Sequence, residues 1–470
     1  MTNVLLMKAS YILFLIFLGY FLILTLFYIF LAVVGFIEAK KKDWENEEEN
    51  YPLFYFSSFS MPVTIIIPAH NEESWIRDSL LSVLNLNYHE FEVIIVDDGS
   101  TDKTLEILND ILDLKPVDIP YVKHYKDGKV HEILKSKKHP NVTVIRKGKG
   151  LKKAGALNAG LNIAKYKYIC TIDADTVLEQ NALLKVMAHV EKDPDKIIGM
   201  GSYFGLVNGL KIRDGKIVER SVSCNPIIAY QNLEYIRSFI GNRIAWSRFN
   251  AMPNVAGGFA VWRRDVLYDL GGFSAEFTCE DIELTFRAHD YIVKNKNSGY
   301  KIMMLPYLVG WTEGPDTIPA LILQRNRWQR VTNETVWKYK YMICNPRYGG
   351  FAFLTLPYFI LYEVWGVFFE VSSIILVGLG WVLGVLDVKT FLAFLCFMVL
   401  SQALISLLSI FAFIRGQRVF KLGYIMYLIV LSFLEFLFYR WIISVAKITG
   451  TYSYLRGTKE FNQYARAKRT

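Results

Sequence analysis

The sequence has only five cysteines in 470 residues, at positions 170, 224, 279, 344 and 396, and no two form a C-x-x-C pair. Such an odd, scattered set argues against a disulfide framework and against cysteine-based metal ligation. It fits a reducing, cytosolic setting for the soluble part of the chain. No zinc-finger, RNP-type or helix-turn-helix pattern is present, so nucleic acid is not expected as a partner, although the net charge is +9 and the pI about 9.0. A basic chain without those patterns points to anionic lipid or to phosphorylated substrates.

Charge is also missing from long stretches. Residues 9–37 carry none, and the composition is 53% hydrophobic with positive mean hydropathy. At ~1.5 Å per residue this run makes a helix of ~43 Å, more than a ~30 Å hydrocarbon core requires, so tilt is allowed. A signal peptide is excluded by length, since its apolar core would be ~7–15 residues. Lys40, Lys41 and Lys42 follow directly and place that end in the cytoplasm. Three further apolar blocks are read at 351–386, 390–414 and 422–446. The basic stretch 415–421 places the end of the middle block in the cytoplasm. Glu363 and Glu370, seven apart, share a helix face in the first block, and Glu435 and Arg440 interrupt the last. Three simple crossings would leave the basic tail outside, so an extra crossing or a re-entrant piece is expected within 351–386 or 422–456. Intramembrane acids are either structural or line a polar conduit.

Between these blocks, residues 62–345 alternate short β-branched runs with helical patterns. Strands are predicted at 63–67, 91–96, 142–145 and 166–172, and helices at 72–85, 102–114 and 153–164. This alternation implies an α/β domain with a doubly wound parallel sheet, in which ligands bind beyond the carboxyl ends of the strands. Three strand ends carry polar tags: "PAHNE" (68–72), "DDGSTD" (97–102) and "DADT" (173–176). Each alone could be a turn or an N-cap. Two segments centred on Asp-Gly, 125–141 and 210–220, read as hairpin-like surface loops.

The paired carboxylates of "DADT" suit a hard divalent cation, Mg²⁺ or Mn²⁺, held against a diphosphate. The lysine- and glycine-rich "KGKGLKKAGALNAG" (147–160) opens a helix and suits phosphate, or is simply a solvated basic loop. Gln324, Arg327 and Trp328 fall at i, i+3 and i+4 on one helix face. Arg forks onto phosphate and Trp stacks on a sugar ring, although an interfacial helix would use the same residues. Glu280 and Asp281 open another helix, where acids are favoured electrostatically in any case.

Taken together, "VTIIIPAHNE", "VDDGSTDKT", "KKAGALNAGL", "DADT", "AGGFAVWRRDVLYDLGGF", "CED" and "QRNRW" resemble, in order, the motifs of membrane-embedded family 2 glycosyltransferases such as cellulose, hyaluronan and poly-N-acetylglucosamine synthases. The resemblance implies a cytosolic GT-A-type domain at 41–345, inserted between an N-terminal transmembrane helix at 1–40 and interfacial and transmembrane helices at 346–450, with a basic tail at 451–470. It implies that Asp97 and Asp98 bind uridine, that Ala69, His70 and Glu72 wall the nucleotide pocket, and that Lys153 lies near the nucleotide. Asp173 and Asp175 would be the metal motif, with Asp175 the direct ligand. Asp281 would be the catalytic base with Glu280 beside it, and Gln324, Arg327 and Trp328 would lie over the diphosphate and acceptor. Cys279 stands where cellulose synthases have Thr, His70 where another aromatic is usual, and "AGGF" where they have a Cys-containing segment. These departures weigh against cellulose as product.

The function expected is inverting transfer from a UDP-sugar, UDP-GlcNAc or UDP-glucose, to a growing β-linked glycan that is built processively and exported across the cell membrane. The alternative is single transfer to a membrane lipid. A nucleotide-sugar-binding scaffold without activity is the reading from another class. Membrane lipids are expected partners, and the sequence specifies no partner subunit.

Overall fold

The computed structural model describes residues 2–47, 49, 51, 60–382, 384, 387–416 and 419–458. The part of the expected basic tail from 459 onward lies outside the described residues. The chain opens with one helix, Thr2–Glu47, and then builds a ten-stranded sheet. Its strands are β1 (Val63–Ala69), β2 (Phe91–Asp98), β3 (Leu114–Pro116), β4 (Val130–Ser136), β5 (Val142–Lys147), β6 (Tyr168–Ile172), β7 (Val177–Leu178) and β8 (Ile197–Leu206). After a separate two-stranded hairpin, β9 (Lys211–Arg213) and β10 (Lys216–Glu219), come β11 (Phe259–Arg263) and β12 (Lys301–Thr312). The sheet order is β3-β4-β5-β2-β1-β6-β11-β8-β12-β7.

The predicted strands and helices are all present, but the sheet is mixed rather than wholly parallel. Strands β5-β2-β1-β6 form one parallel block and β8-β12 a second parallel pair; β11 runs antiparallel to both β6 and β8 between them. The four-stranded parallel block is buried on both faces, which explains its continuous β-branched runs. β8 and β12 escape the sequence reading because glycines and methionines dilute the β-branched signal. The 210–220 loop is the expected hairpin around Asp214 and Gly215. The 125–141 segment is not. Its residues from Val130 form β4, paired to both β3 and β5, and Asp127 is fully buried, with Lys123 Nζ at 2.8 Å and Asn162 Nδ2 at 3.0 Å. The Asp-Gly pair therefore anchors the approach to a sheet strand instead of turning in solvent.

Among the described residues two helices are long and apolar enough to cross a membrane: Tyr11–Glu45, with mean hydropathy 2.7, and Val388–Gly416, with 2.4. Two bent pairs bring the number to as many as four: Phe351–Val364 with Gly366–Val382 at 41°, and Leu422–Leu434 with Tyr439–Leu455 at 64°. An extra piece was expected in one or the other of these two blocks, and each of them is broken. The first contains π-helical turns on either side of Pro357, whose missing N–H cannot serve the helical ladder. In the second, Glu435 sits at the break and receives both terminal nitrogens of Arg237, each at 2.7 Å.

Candidate active site

The four-stranded parallel block delivers the ends of β1, β2 and β6 to one edge. The loops there are laced together. Asn71 Oδ1 accepts the Thr101 N–H at 2.8 Å, and the Glu72 N–H donates to the Thr104 hydroxyl at 2.8 Å. His70 Nδ1 donates to the Asp98 carbonyl at 2.9 Å. Gly99 has φ +69°, and a Cβ there would stand 2.8 Å from the Lys149 nitrogen, so glycine lets the lysine-rich loop close over the strand end.

A cavity of about 720 Å³ opens at this edge. Ala69, His70, Glu72, Asp98, Asp173 and Asp175 line its first part. Its wall then takes in Lys153, Glu280, Asp281, Gln324, Arg327 and Trp328. It extends among the apolar helices to Glu363, Glu370, Glu435, Arg440 and Lys447. Every site residue expected from sequence lines this one cavity except Asp97. Side chains alternate along a strand, so Asp97 and Asp98 leave β2 on opposite faces. Asp97 Oδ1 instead accepts the Ser100 N–H at 3.2 Å and shapes the turn.

The acids are not equivalent. Asp98 is buried against the Lys147 ammonium, and burial raises its carboxyl above the ordinary range despite that partner. Lys153 Nζ lies 2.6 Å from Asp173 Oδ1 and 2.8 Å from Glu280 Oε1. Burial opposes its charge, but these two carboxylates hold its pKa well above the ordinary lysine value. Burial also lifts Glu280 above the usual carboxylate range, against the pull of Lys153. Glu280 is therefore committed to an ion pair. Asp281 is held differently, by N–H donors: Ile282 at 2.8 Å on Oδ1 and Gly257 at 3.1 Å on Oδ2. Cys279 precedes both acids at the helix N-cap without capping through its side chain, and burial pushes its thiol up to about 12, so it stays protonated and inert at neutral pH.

Asp175 Oδ1 accepts the Thr312 hydroxyl at 3.1 Å from the end of β12. Among the described residues no three His, Cys, Asp or Glu side chains converge as a ready metal cage. An Asp-Ala-Asp pair does fit a hard cation of the Mg²⁺ type, which takes one or two carboxylates and completes its shell with water and phosphate oxygens. Asp175 and Asp173 could hold it.

Several lining residues were not anticipated. Arg243 packs its guanidinium 4.1 Å over the Phe239 ring, and burial lowers it to about 10 against the attraction of Asp281. Arg325 lies 4.0 Å over the Trp328 ring and pairs with Glu234 at 2.9 Å, which fixes the indole. Buried polar atoms of Asn242, Arg243, Asn254 and Gln324 make no hydrogen bond within the described protein. Two arginines within the otherwise uncharged "YIRSFIGNRIAW" (235–246) were the available signal. Deeper, charges on the apolar helices are paired: Glu435 with Arg237 of the sheet-bearing domain at 2.7 Å, Lys447 with Glu363 at 2.7 Å, and Arg440 with Glu370.

Comparison with known proteins gives this arrangement a family. The glycosyl transferase family 2 model matches residues 64–271, and the model for glycosyl transferase family group 2 matches residues 168–443, more than half the chain. The chain belongs to this glycosyl transferase family. Among similar family members, probable glycosyltransferase YdaM of Bacillus subtilis (strain 168) is 28% identical over 322 residues, 67% of this chain and 65% of that protein. The poly-beta-1,6-N-acetyl-D-glucosamine synthase of Staphylococcus epidermidis is 28% identical over 278 residues, 58% of this chain and 55% of that one. The matched region thus spans 55–65% of the length of these curated relatives. A mannosyltransferase from Pyrobaculum calidifontis, solved with GDP-Man and Mn²⁺, shares the fold with a TM-score of 0.50 at 16% identity, covering 93% of this chain and 99% of that one. The glycosyl transferase family 2 assignment agrees with a GT-A-like mixed sheet flanked by apolar helices.

Proposed function

We propose that the protein transfers a sugar, with inversion, from a UDP-sugar (UDP-GlcNAc or UDP-glucose) to a growing β-linked glycan, which then enters the helix bundle. One observation carries this reading. A single cavity joins the strand-end acids, the Gln324–Arg327–Trp328 face and a row of paired charges among apolar helices. Nucleotide-binding chemistry at one end and polar groups between apolar helices at the other suit a hydrophilic product that leaves through the bundle. Relatives named as poly-N-acetylglucosamine synthases support an amino-sugar polymer. Lys40, Lys41 and Lys42, after the first apolar helix, support a multi-pass protein of the cell membrane with its catalytic domain on the cytoplasmic side.

In the proposed reaction Asp281 accepts the proton of an acceptor hydroxyl. The freed oxygen bonds to the anomeric carbon on the face opposite the diphosphate. The bond from that carbon to the diphosphate oxygen breaks, and its electron pair leaves with UDP. One displacement gives inversion. A positioned base contributes about 10²–10⁴-fold. Asp281 is suited to it because its neighbours are N–H donors rather than a lysine, and Glu280 is not, because Lys153 occupies it. Arg327 faces the leaving diphosphate, and Trp328, clamped by Arg325, offers a ring for the acceptor sugar. Asp175, with Asp173, would hold a divalent cation, which would supply further neutralisation of the leaving group. Buried, unpartnered atoms of Asn242, Asn254 and Gln324 suit sugar hydroxyls, since leaving such atoms unmet costs about 1–3 kcal/mol each.

The test is a panel of labelled UDP-sugars with purified full-length protein, Mg²⁺ or Mn²⁺, and sizing of the product. A ladder of long glycans is expected from one donor. A single sugar on a lipid-extractable acceptor would replace polymer extension by the non-processive alternative. Absence of UDP release with every donor would overturn transfer from UDP-sugars.

A further inference from the structure

We propose that Lys153 is a tethered counter-cation that makes divalent-cation binding depend on the nucleoside diphosphate. The inference rests on the metal-assisted reading above and deepens it. Lys153 is the second residue of the Lys152–Ile163 helix, so its backbone is fixed by the element that follows the lysine-rich loop. Its ammonium bridges two acids from separate elements, Asp173 just beyond β6 at 2.6 Å and Glu280 at the start of the Glu280–Lys294 helix at 2.8 Å.

The fit is specific. A Cβ at residue 257 would stand 2.8 Å from Lys153 Nζ and 3.2 Å from Glu280 Oε1, so glycine leaves the ammonium room that any side chain would oblige it to give up in part. Four carboxylates, Asp173, Asp175, Glu280 and Asp281, line one cavity. Without cations they would repel one another, and Lys153 supplies one from within the chain to Asp173 and Glu280. The consequence is competition. A divalent ion approaching the Asp173–Asp175 pair meets an ammonium already on Asp173, and the two positive charges disfavour each other. A diphosphate changes both sides of this balance. It gives the ion additional oxygen ligands and gives Lys153 an anion to turn to. The ion therefore binds weakly alone and well with the diphosphate, and by linkage the diphosphate gains the same factor from the ion.

The experiment titrates Mn²⁺ into purified full-length protein and follows free Mn²⁺ by electron paramagnetic resonance, first without nucleotide and then with saturating UDP or GDP. Wild type is expected to gain at least tenfold in Mn²⁺ affinity when the nucleotide is added. Lys153→Met is expected to bind Mn²⁺ at least tenfold more tightly than wild type without nucleotide, and to lose most of the nucleotide effect. Lys153→Arg keeps the charge and should stay near wild type. Gly257→Ala retains the lysine but displaces its flexible end, and should shift in the direction of Lys153→Met. Melting temperatures establish that each variant is folded. Nucleotide-dependent Mn²⁺ binding in wild type, with Lys153→Met within twofold of wild type in the nucleotide-free titration, would overturn this role alone. No Mn²⁺ binding in wild type even with nucleotide would overturn the metal-assisted reading and this role with it.

Discussion

Replacing Asp281 by Asn removes one charge and almost no volume, so it isolates what the carboxylate does. The two oxygens have distinct partners. Oδ1 takes the Ile282 N–H at 2.8 Å, and Oδ2 takes the Gly257 N–H at 3.1 Å, with Asn254 Nδ2 at 3.5 Å. An amide can accept at only one of these places. At the other its NH₂ faces an N–H, which costs about 1–3 kcal/mol of stability. The loss in rate should be larger. A general base worth about 10²–10⁴-fold corresponds to about 2.7–5.4 kcal/mol of barrier at ~1.36 kcal/mol per tenfold. The assay is release of UDP from the productive donor by purified protein, with the melting temperature recorded in parallel. The expected result is a fall in kcat of at least a hundredfold with little change in donor KM, because Asp281 acts on the acceptor. A folded Asp281→Asn protein that turns over at the wild-type rate would refute the assignment. Glu280→Gln supplies the contrast. It breaks the Lys153 pair, so its effect should appear in donor and metal binding as well as in turnover.

Asp175→Ala should abolish nucleotide-dependent Mn²⁺ binding, and Thr312→Val, which removes only the hydroxyl on Asp175, should weaken it about 10–100-fold in the same titration. Glu435→Gln and Arg237→Met should each lower the melting temperature in detergent, since breaking a buried pair costs about 3–5 kcal/mol; the double variant should lose less than the sum of the two, and strict additivity would contradict pairing. His289 is buried, donates to the Met252 carbonyl at 2.9 Å and stacks on Phe351, and burial lowers it to about 4. Below its ordinary value near 6.5 the unfolded chain binds the proton and the folded chain does not, so stability falls by up to ~1.4 kcal/mol per pH unit as pH drops from about 6.5 towards 4. His289→Gln should flatten that part of the melting-temperature profile, and an unchanged slope would exclude His289 as its source.

Where the sequence was legible, the reason is local. The β1, β2, β5 and β6 runs are buried on both faces and announce themselves as unbroken β-branched stretches, and the polar tags at the ends of β1, β2 and β6 converge because parallel strands must bring them to one edge. What stayed hidden depends on distant pairing. Nothing near Asp98 shows that Lys147, 49 residues on, is its partner. The antiparallel insertion of β11 is set by its fit between β6 and β8, not by its own pattern. The 125–141 segment carried a turn signal, but the partners that hold the buried Asp127 override it. For Glu280 and Asp281 the sequence could only place two acids at a helix start. The backbone direction at Gly257 is what separates them, by giving one an N–H donor and leaving room beside the other for a lysine.

The charges among the apolar helices obey a further constraint. Glu363 and Glu370 are seven residues apart, as are their partners Lys447 and Arg440, and the pairs cross in opposite order, as antiparallel helices require. Glu435 pairs with Arg237 from the sheet-bearing domain, which ties the break before Tyr439–Leu455 to that half of the molecule. Three acids meet three bases, so this part of the lining is polar without net charge. An unpaired charge here would be expensive in an apolar setting, and would also hold an oppositely charged group too tightly for it to pass. Paired charges offer hydrogen bonds on every side and no deep electrostatic well. For an uncharged, hydroxyl-rich glycan leaving the site, that combination permits binding at each step and release to the next, which is the physical content of extension coupled to export in the function proposed here.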